Sequence, residues 1–135
     1  MAACSARRTG PSGRGFTLIE LIVVMAIVAL LVSIAAPRYF RSIDRARENT
    51  LRTSLNVVRD AIDQFATDKS RYPDSLEELV TARYLRGVPD DPLTGSAQTW
   101  VTLTPPSELG APGKVFDLRS GAAGRAADGR LYADW

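Results

Sequence analysis

The sequence predicts an α+β protein in which one long amino-terminal helix precedes a small region with two strand candidates. An apolar run of 21 residues, 16–36, contains a single charged side chain, that of Glu20. An amphipathic pattern continues this run, and neither Gly nor Pro occurs between positions 38 and 72. The strand candidates, Thr99–Thr104 and Lys114–Arg119, follow a series of turn-forming residues. We therefore expect one continuous helix from about residue 17 to about residue 68, followed by a small sheet.

The apolar run is long enough to cross a membrane. As a helix it would measure about 31 Å, which matches a hydrocarbon core about 30 Å thick. The core of a cleaved signal peptide is shorter, at about 7–15 residues. Pro37 lacks a backbone donor and is expected to kink a helix that continues through it. The run therefore predicts a transmembrane helix over 16–36.

The carboxylate of Glu20 is costly at this position, by about 2.5–3.5 kcal/mol on insertion scales. All other acidic side chains lie after the run, and three arginines lie before it, in the leader 1–15. These arginines favour a cytoplasmic amino end, although four more follow the run within eleven residues. Beyond the leader, 14 basic side chains face 15 acidic ones, so we expect no nucleic-acid partner.

The second half of the helix carries one apolar stripe at steps of four and three residues. The stripe consists of Leu51, Leu55, Val58, Ile62 and Phe65. It is expected to form a core, while the charged residues of this half, among them Arg45, Glu48, Arg52, Arg59, Asp60 and Asp63, occupy the other sides. A capping box at Ser75 and Glu78 predicts a short helix from Leu76 to about Arg83. The residues around Asp90 and Asp91 read as turns, and Tyr132 and Trp135 are expected to pin an irregular tail.

The stretch Gly15-Phe16-Thr17-Leu18-Ile19-Glu20-Leu21 closely resembles the processing signal of type IV pilins and type II secretion pseudopilins. Further pieces resemble the major, G-type pseudopilin group: Arg71-Tyr72-Pro73, the segments 76–85, 89–95 and 115–121, and Asp134-Trp135. This resemblance implies a pilin-like fold, with the long helix packed on a small antiparallel sheet. It also implies a structural, non-enzymatic subunit of a type II secretion pseudopilus.

The resemblance assigns a role to each residue of the signal. A prepilin peptidase would cut between Gly15 and Phe16, and the new amino group of Phe16 would be N-methylated. The Glu20 carboxylate would pair with such an amine, on a neighbouring subunit or on its own, and so set the register of a helical homo-oligomeric filament. The chain would comprise a cleaved leader 1–15, a transmembrane assembly helix 16–36 and a periplasmic domain 37–135. Its partners would be other pseudopilins or pilins, the peptidase and an inner-membrane assembly platform.

The resemblance also implies one calcium ion in the carboxy-terminal loop. Asp117, Ser120, Asp128 and Asp134 are the candidate ligands, since calcium takes oxygen donors. The chain departs from the family pattern here, because it has Ala122-Ala123-Gly124 where the family usually has Asp-Gly. No other cofactor is expected.

Three alternatives remain open at this point. A type IV pilus subunit would share the same signal. A soluble periplasmic protein exported by the Sec pathway would use the small residues of Ser33-Ile34-Ala35 for cleavage before Ala36, but it leaves Glu20 unexplained. A membrane-tethered enzyme is disfavoured, because the chain has no histidine and one cysteine, and because the adjacent Asp90 and Asp91 diverge in direction.

Overall fold

A computed structural model describes residue 13 and residues 15–135 of the chain, so most of the predicted leader lies outside the described residues. It contains helix α1 (Leu18–Lys69), helix α2 (Leu76–Thr81), strand β1 (Val101–Leu103) and strand β2 (Asp117–Arg119). Two short 3₁₀ turns lie at Ser107–Leu109 and Tyr132–Asp134. This order confirms the predicted α+β class and the single long helix. The chain divides into two compact units, one ending at Tyr39 and one beginning at Phe40.

The first unit consists of the apolar part of α1. Its large apolar side chains are exposed, including Leu18, Ile22, Leu30 and Ile34. Helix α1 is the one helix of the described chain that is long and apolar enough to cross a membrane, with a mean hydropathy of 2.9 in its most apolar window. Length and composition therefore agree with the predicted transmembrane segment.

The second unit is built on the amphipathic half of α1. All five residues of the predicted stripe are buried, and Leu51, Val58 and Ile62 are 0% exposed. Residues from the rest of the domain complete this core: Leu76, Leu79, Leu85, Trp100, Val115, Leu118, Ala126 and Trp135. The stripe thus shares one core with α2, β2 and the carboxy-terminal tail.

Helix α2 is capped as predicted but ends earlier than predicted. The Ser75 side chain accepts a hydrogen bond from the Glu78 N–H at 3.3 Å, and the Glu78 carboxylate accepts one from the Asp74 N–H at 2.7 Å. The predicted end at about Arg83 lies slightly beyond the observed end at Thr81, because Arg83 adopts a left-handed backbone conformation with φ of 65°. The N–H groups of Tyr84 and Leu85 then turn back to the carbonyl of Leu79, which closes the helix.

The sheet is an antiparallel pair in which Thr102 lies opposite Leu118. Both strands are shorter than predicted. Pro105 and Pro106 have no N–H groups to donate, so pairing cannot extend beyond Thr104 on that side. The N–H groups of Lys114 and Val115 instead donate to the carbonyl of Pro73, which ties the approach to β2 to the chain before α2.

Candidate functional site

The predicted cleavage bond between Gly15 and Phe16 lies in non-helical chain directly before α1. The Phe16 side chain is 84% exposed, and no atom would lie within 4 Å of a Cβ added to Gly15. None of the described residues therefore covers the bond between Gly15 and Phe16. Cleavage and methylation themselves stay predictions.

Glu20 lies in the first turn of α1, and its backbone N–H donates to the Thr17 hydroxyl at 3.2 Å. Thr17 therefore caps the helix, and Thr17-Leu18-Ile19-Glu20 has the spacing of a capping box. The sequence contained this signal, which the interpretation of Glu20 as an assembly residue overlooked. A carboxylate in the first helical turn is also favoured by the helix dipole. Among the described residues, Glu20 takes part in none of the salt bridges.

Pro37 lies inside α1, which continues on both sides of it. Pro37 has no N–H to donate to the carbonyl of Ser33, so one helical hydrogen bond is missing there. Along the chain, the boundary between the two compact units falls between Tyr39 and Phe40, shortly after Pro37. The predicted kink at Pro37 stays a prediction.

Glu48 of α1 binds the carboxy-terminal region through hydrogen bonds. Its predicted position on a polar side of the helix is wrong. Its side chain accepts hydrogen bonds from the Ala127 N–H at 2.8 Å and from the Tyr132 hydroxyl at 3.1 Å. Glu48 is only 9% exposed, because it lies three residues before Leu51 and therefore on the buried stripe. That spacing was the sequence signal for a buried carboxylate with partners in the tail.

Replacing Tyr132 with Phe is expected to cost about 1 kcal/mol at neutral pH, since one hydrogen bond to Glu48 is lost. Burial, and secondly the hydrogen bond to Glu48, raise the pKa of Tyr132 above its ordinary value of 10.0. A group whose pKa is raised on folding contributes stability below its unfolded pKa and loses it as the pH rises through the folded value. The stability difference between wild type and Tyr132→Phe should therefore shrink above about pH 10, as measured by urea unfolding across pH. A difference that stayed constant with pH would contradict this role of Tyr132.

Asp91 is a second buried carboxylate that sequence reasoning missed, since it was assigned only to a turn. It is 0% exposed. Its Oδ1 accepts a hydrogen bond from the Leu93 N–H at 2.9 Å, which is the expected turn contact, but its Oδ2 accepts one from the Ser120 hydroxyl. Asp91 therefore connects the turn after α2 to the end of β2. A pair separated by 29 residues gives no periodic signal in the sequence.

The four candidate calcium ligands lie in different surroundings. The Asp117 carboxylate pairs with Arg59, and the Asp128 carboxylate lies 2.8 Å from a guanidinium nitrogen of Arg130. Ser120 is 1% exposed and donates to Asp91, whereas Asp134 is exposed in the 3₁₀ turn. Asp117 and Asp134 line the same groove. Within the described chain, no three side chains of the His, Cys, Asp and Glu types are grouped so as to hold a metal ion.

Comparison with known proteins supports the predicted amino-terminal signal and the predicted family. Residues 12–36 match the family model of the prokaryotic N-terminal methylation motif. The type II secretion system core protein G of Klebsiella michiganensis is 33% identical over 103 residues, which cover 64% of this chain and 72% of the relative. The chain belongs to the family of type II secretion system core protein G. The predicted resemblance to G-type pseudopilins is thereby confirmed.

Two further relatives differ in identity and in the share of their length that this chain covers. The core protein G of Escherichia coli K12 is 28% identical over 123 residues, which cover 79% of each chain. The type IV major pilin protein PilA of Myxococcus xanthus is 38% identical over 72 residues, but the chain spans only 33% of its length. No solved structure gives a significant match.

Proposed function

We propose that the chain is a structural subunit of a type II secretion pseudopilus, and that it has no enzymatic role. The observation that carries this proposal is the match of residues 12–36 to the N-terminal methylation motif, in a chain of the core protein G family. The exposed junction of Gly15 and Phe16 directly before a capped apolar helix supports it. Protein secretion across the outer membrane would be the task of the assembled filament.

The membrane would hold the subunit before assembly. Residues 1–15 are removed as the leader, residues 16–36 cross the inner membrane, and residues 37–135 form the periplasmic domain. The exposed apolar side chains of the first unit of α1 support this placement, since they would face lipid. The arginines of the leader favour an amino terminus in the cytoplasm.

Assembly would give the Glu20 carboxylate its partner. Cleavage before Phe16 creates an α-amine four residues from Glu20. In a bundle of such helices a paired charge is far less costly than an unpaired one. Each Glu20 would therefore select a register in which an amine lies beside it, either on a neighbouring subunit or on its own. Other pseudopilins, the prepilin peptidase and an inner-membrane assembly platform are the partners that this route requires.

Mass spectrometry of the mature amino terminus tests the processing step. We expect a chain that begins at N-methylated Phe16, whose mass differs from that of the full chain by the leader less one methyl group. A Gly15→Val variant is expected to retain the leader, because a stiff β-branched side chain adds bulk at the bond that the peptidase must reach, whereas the chain itself has room for it. A mature chain that begins at Ala36 would instead establish Sec export and refute the proposal.

A type IV pilus subunit is the second candidate, favoured by the similarity to PilA over 72 residues. Both candidates share the processing signal and the use of Glu20, so the amino terminus cannot separate them. Crosslinking in the native membrane does, because it identifies whether the neighbouring subunits belong to a secretion system or to a pilus. We favour the secretion system because the core protein G relatives align over a larger share of the chain.

A further inference from the structure

Three arginines converge on one groove of about 530 Å³ beside the second half of α1. Arg52 and Arg59 are seven residues apart, close to two helical turns, and so lie on the same side of α1. Arg130 enters from the carboxy-terminal loop. Asp117, Asp134 and Trp135 are among the residues that complete the lining. Two of the four candidate calcium ligands therefore share their groove with three fixed positive charges.

Each guanidinium already contacts an acidic or aromatic side chain of β2 or of the carboxy-terminal loop. Arg59 donates from Nε to Asp117 Oδ1 at 2.7 Å and from a terminal nitrogen to the Leu118 carbonyl at 3.2 Å. Arg52 lies with its guanidinium carbon 4.3 Å from the ring centroid of Trp135. The same guanidinium lies 3.5 Å from Asp128 Oδ2.

Arg130 completes this arrangement from within the loop. Its Nε donates to Asp128 Oδ2 at 2.9 Å, and its backbone N–H donates to Asp128 Oδ1 at 3.0 Å. These hydrogen bonds, ahead of the nearby charges of Arg130 and Arg52, lower the pKa of Asp128 below its ordinary value. Asp128 is therefore an anion whose two oxygens are both in use.

The remaining candidate ligands do not complete a calcium shell either. Calcium takes about 6–8 oxygen donors and favours an excess of carboxylates. The Ser120 hydroxyl is buried, donates to Asp91 and accepts from the Ala122 N–H at 3.1 Å, so it faces the interior. Of the three candidate aspartates, Asp128 contacts both Arg52 and Arg130, and Asp117 contacts Arg59, so two of them are already paired with arginines. The donor set of this chain therefore does not fit a calcium ion in the arrangement that the structure has.

We propose that Arg52 and Arg130 hold the carboxy-terminal loop at Asp128, and that Arg59 holds β2 at Asp117, in place of a metal ion, so that the domain folds without calcium. Arg52 is the central group, because it alone contacts both Asp128 and Trp135 from the helix. Glu48 holds the same loop at Ala127 and Tyr132 through neutral donors. The proposal concerns the fold of the domain and does not depend on the proposed assembly function.

Thermal unfolding of the full chain in detergent tests this proposal. Unfolding is followed by tryptophan fluorescence, since Trp100 and Trp135 are both buried in the domain. We expect the same melting temperature in excess EGTA and in millimolar calcium. A melting temperature that rises with calcium and falls with EGTA would overturn the proposal, and this measurement needs no variant.

Variants at the central arginine provide the second readout. Arg52→Gln should lower the melting temperature by about 4–8 °C, in calcium and in EGTA alike. Arg47→Gln removes an exposed arginine from the same helix and should have little effect. Combining Arg52→Gln with Asp128→Asn should cost less than the sum of the two single changes, because they remove one shared contact. Additive losses, or an Arg52→Gln variant that melts like Arg47→Gln, would refute the role of Arg52.

Discussion

Replacing Glu20 with Ala is expected to leave the chain in the membrane and to remove it from the filament. Insertion should not suffer, because the change deletes a carboxylate that costs about 2.5–3.5 kcal/mol in an apolar helix. Assembly should suffer, because the α-amine of a neighbouring Phe16 would lose its partner in a low-dielectric bundle. Breaking a buried ion pair from one side costs about 3–5 kcal/mol. Since about 1.4 kcal/mol corresponds to a factor of ten, incorporation should fall by about a hundredfold or more.

The measurement compares two fractions of the same cells. Membrane fractionation reports insertion, and the yield of sheared or crosslinked filaments reports assembly. Glu108→Ala serves as a control, since it removes a carboxylate from the exposed turn Ser107–Leu109. We expect Glu108→Ala to assemble like wild type and Glu20→Ala to appear only in the membrane fraction.

The cap at Thr17 involves the backbone N–H of Glu20 and not its carboxylate, so its effect must be separated from that of charge pairing. Glutamine is also accepted at the third position of a capping box, so Glu20→Gln keeps the cap and removes the charge. Thr17→Val does the reverse, since it removes the hydroxyl that accepts the Glu20 N–H. Pairing predicts failed assembly for Glu20→Gln and near-normal assembly for Thr17→Val. If Thr17→Val failed to assemble and Glu20→Gln assembled normally, assembly would depend on the helix cap at Thr17 and not on the charge of Glu20.

The long helix was predictable because its signal is repeated many times along the chain. Every turn of α1 from Leu51 to Phe65 repeats the same apolar spacing, so an error at one residue does not change the result. Glu48 fell outside that prediction only because it is charged. Position decided its environment, and partners in the tail then satisfied its carboxylate. In this half of α1, helical position therefore decides burial even for a charged residue.

The small sheet and the loop were predictable only in outline, because their limits depend on distant groups. The approach to β2 is occupied by the carbonyl of Pro73, more than 40 residues earlier in the chain. The buried carboxylate of Asp91 is satisfied by the hydroxyl of Ser120, a contact that no local pattern at either residue indicates. The calcium assignment likewise followed the types of residue in the loop, whereas the structure shows that arginines of α1 reach the same aspartates.

Replacing Gly121 with Ala is expected to cause a large loss of domain stability. A Cβ at this position would lie 2.1 Å from the backbone carbonyl oxygen of Thr99, well inside the 3.0 Å that real Cβ contacts respect. Because this oxygen is a backbone atom, it cannot rotate away as a side-chain atom can. The chain segments that contain Thr99 and Gly121 would therefore have to move apart. Because Gly121 directly follows Ser120, the buried contact to Asp91 would be disturbed as well. We expect a loss of about 3 kcal/mol or more, and a fall in melting temperature of about 12 °C or more.

Substitutions at two other glycines serve as controls, because they change the backbone preferences without creating a steric clash. No atom would lie within 4 Å of a Cβ at Gly87 or at Gly129, but Gly129 has a positive φ of 86°. Gly87→Ala should be neutral or stabilise the domain by up to about 1 kcal/mol, through the unfolded chain. Gly129→Ala should cost about 1–2 kcal/mol, from strain alone. If Gly121→Ala had a melting temperature no lower than that of Gly129→Ala, the close contact between Gly121 and the Thr99 carbonyl would not contribute to stability. That result would contradict the prediction, and the contact between Ser120 and Asp91 would not depend on it.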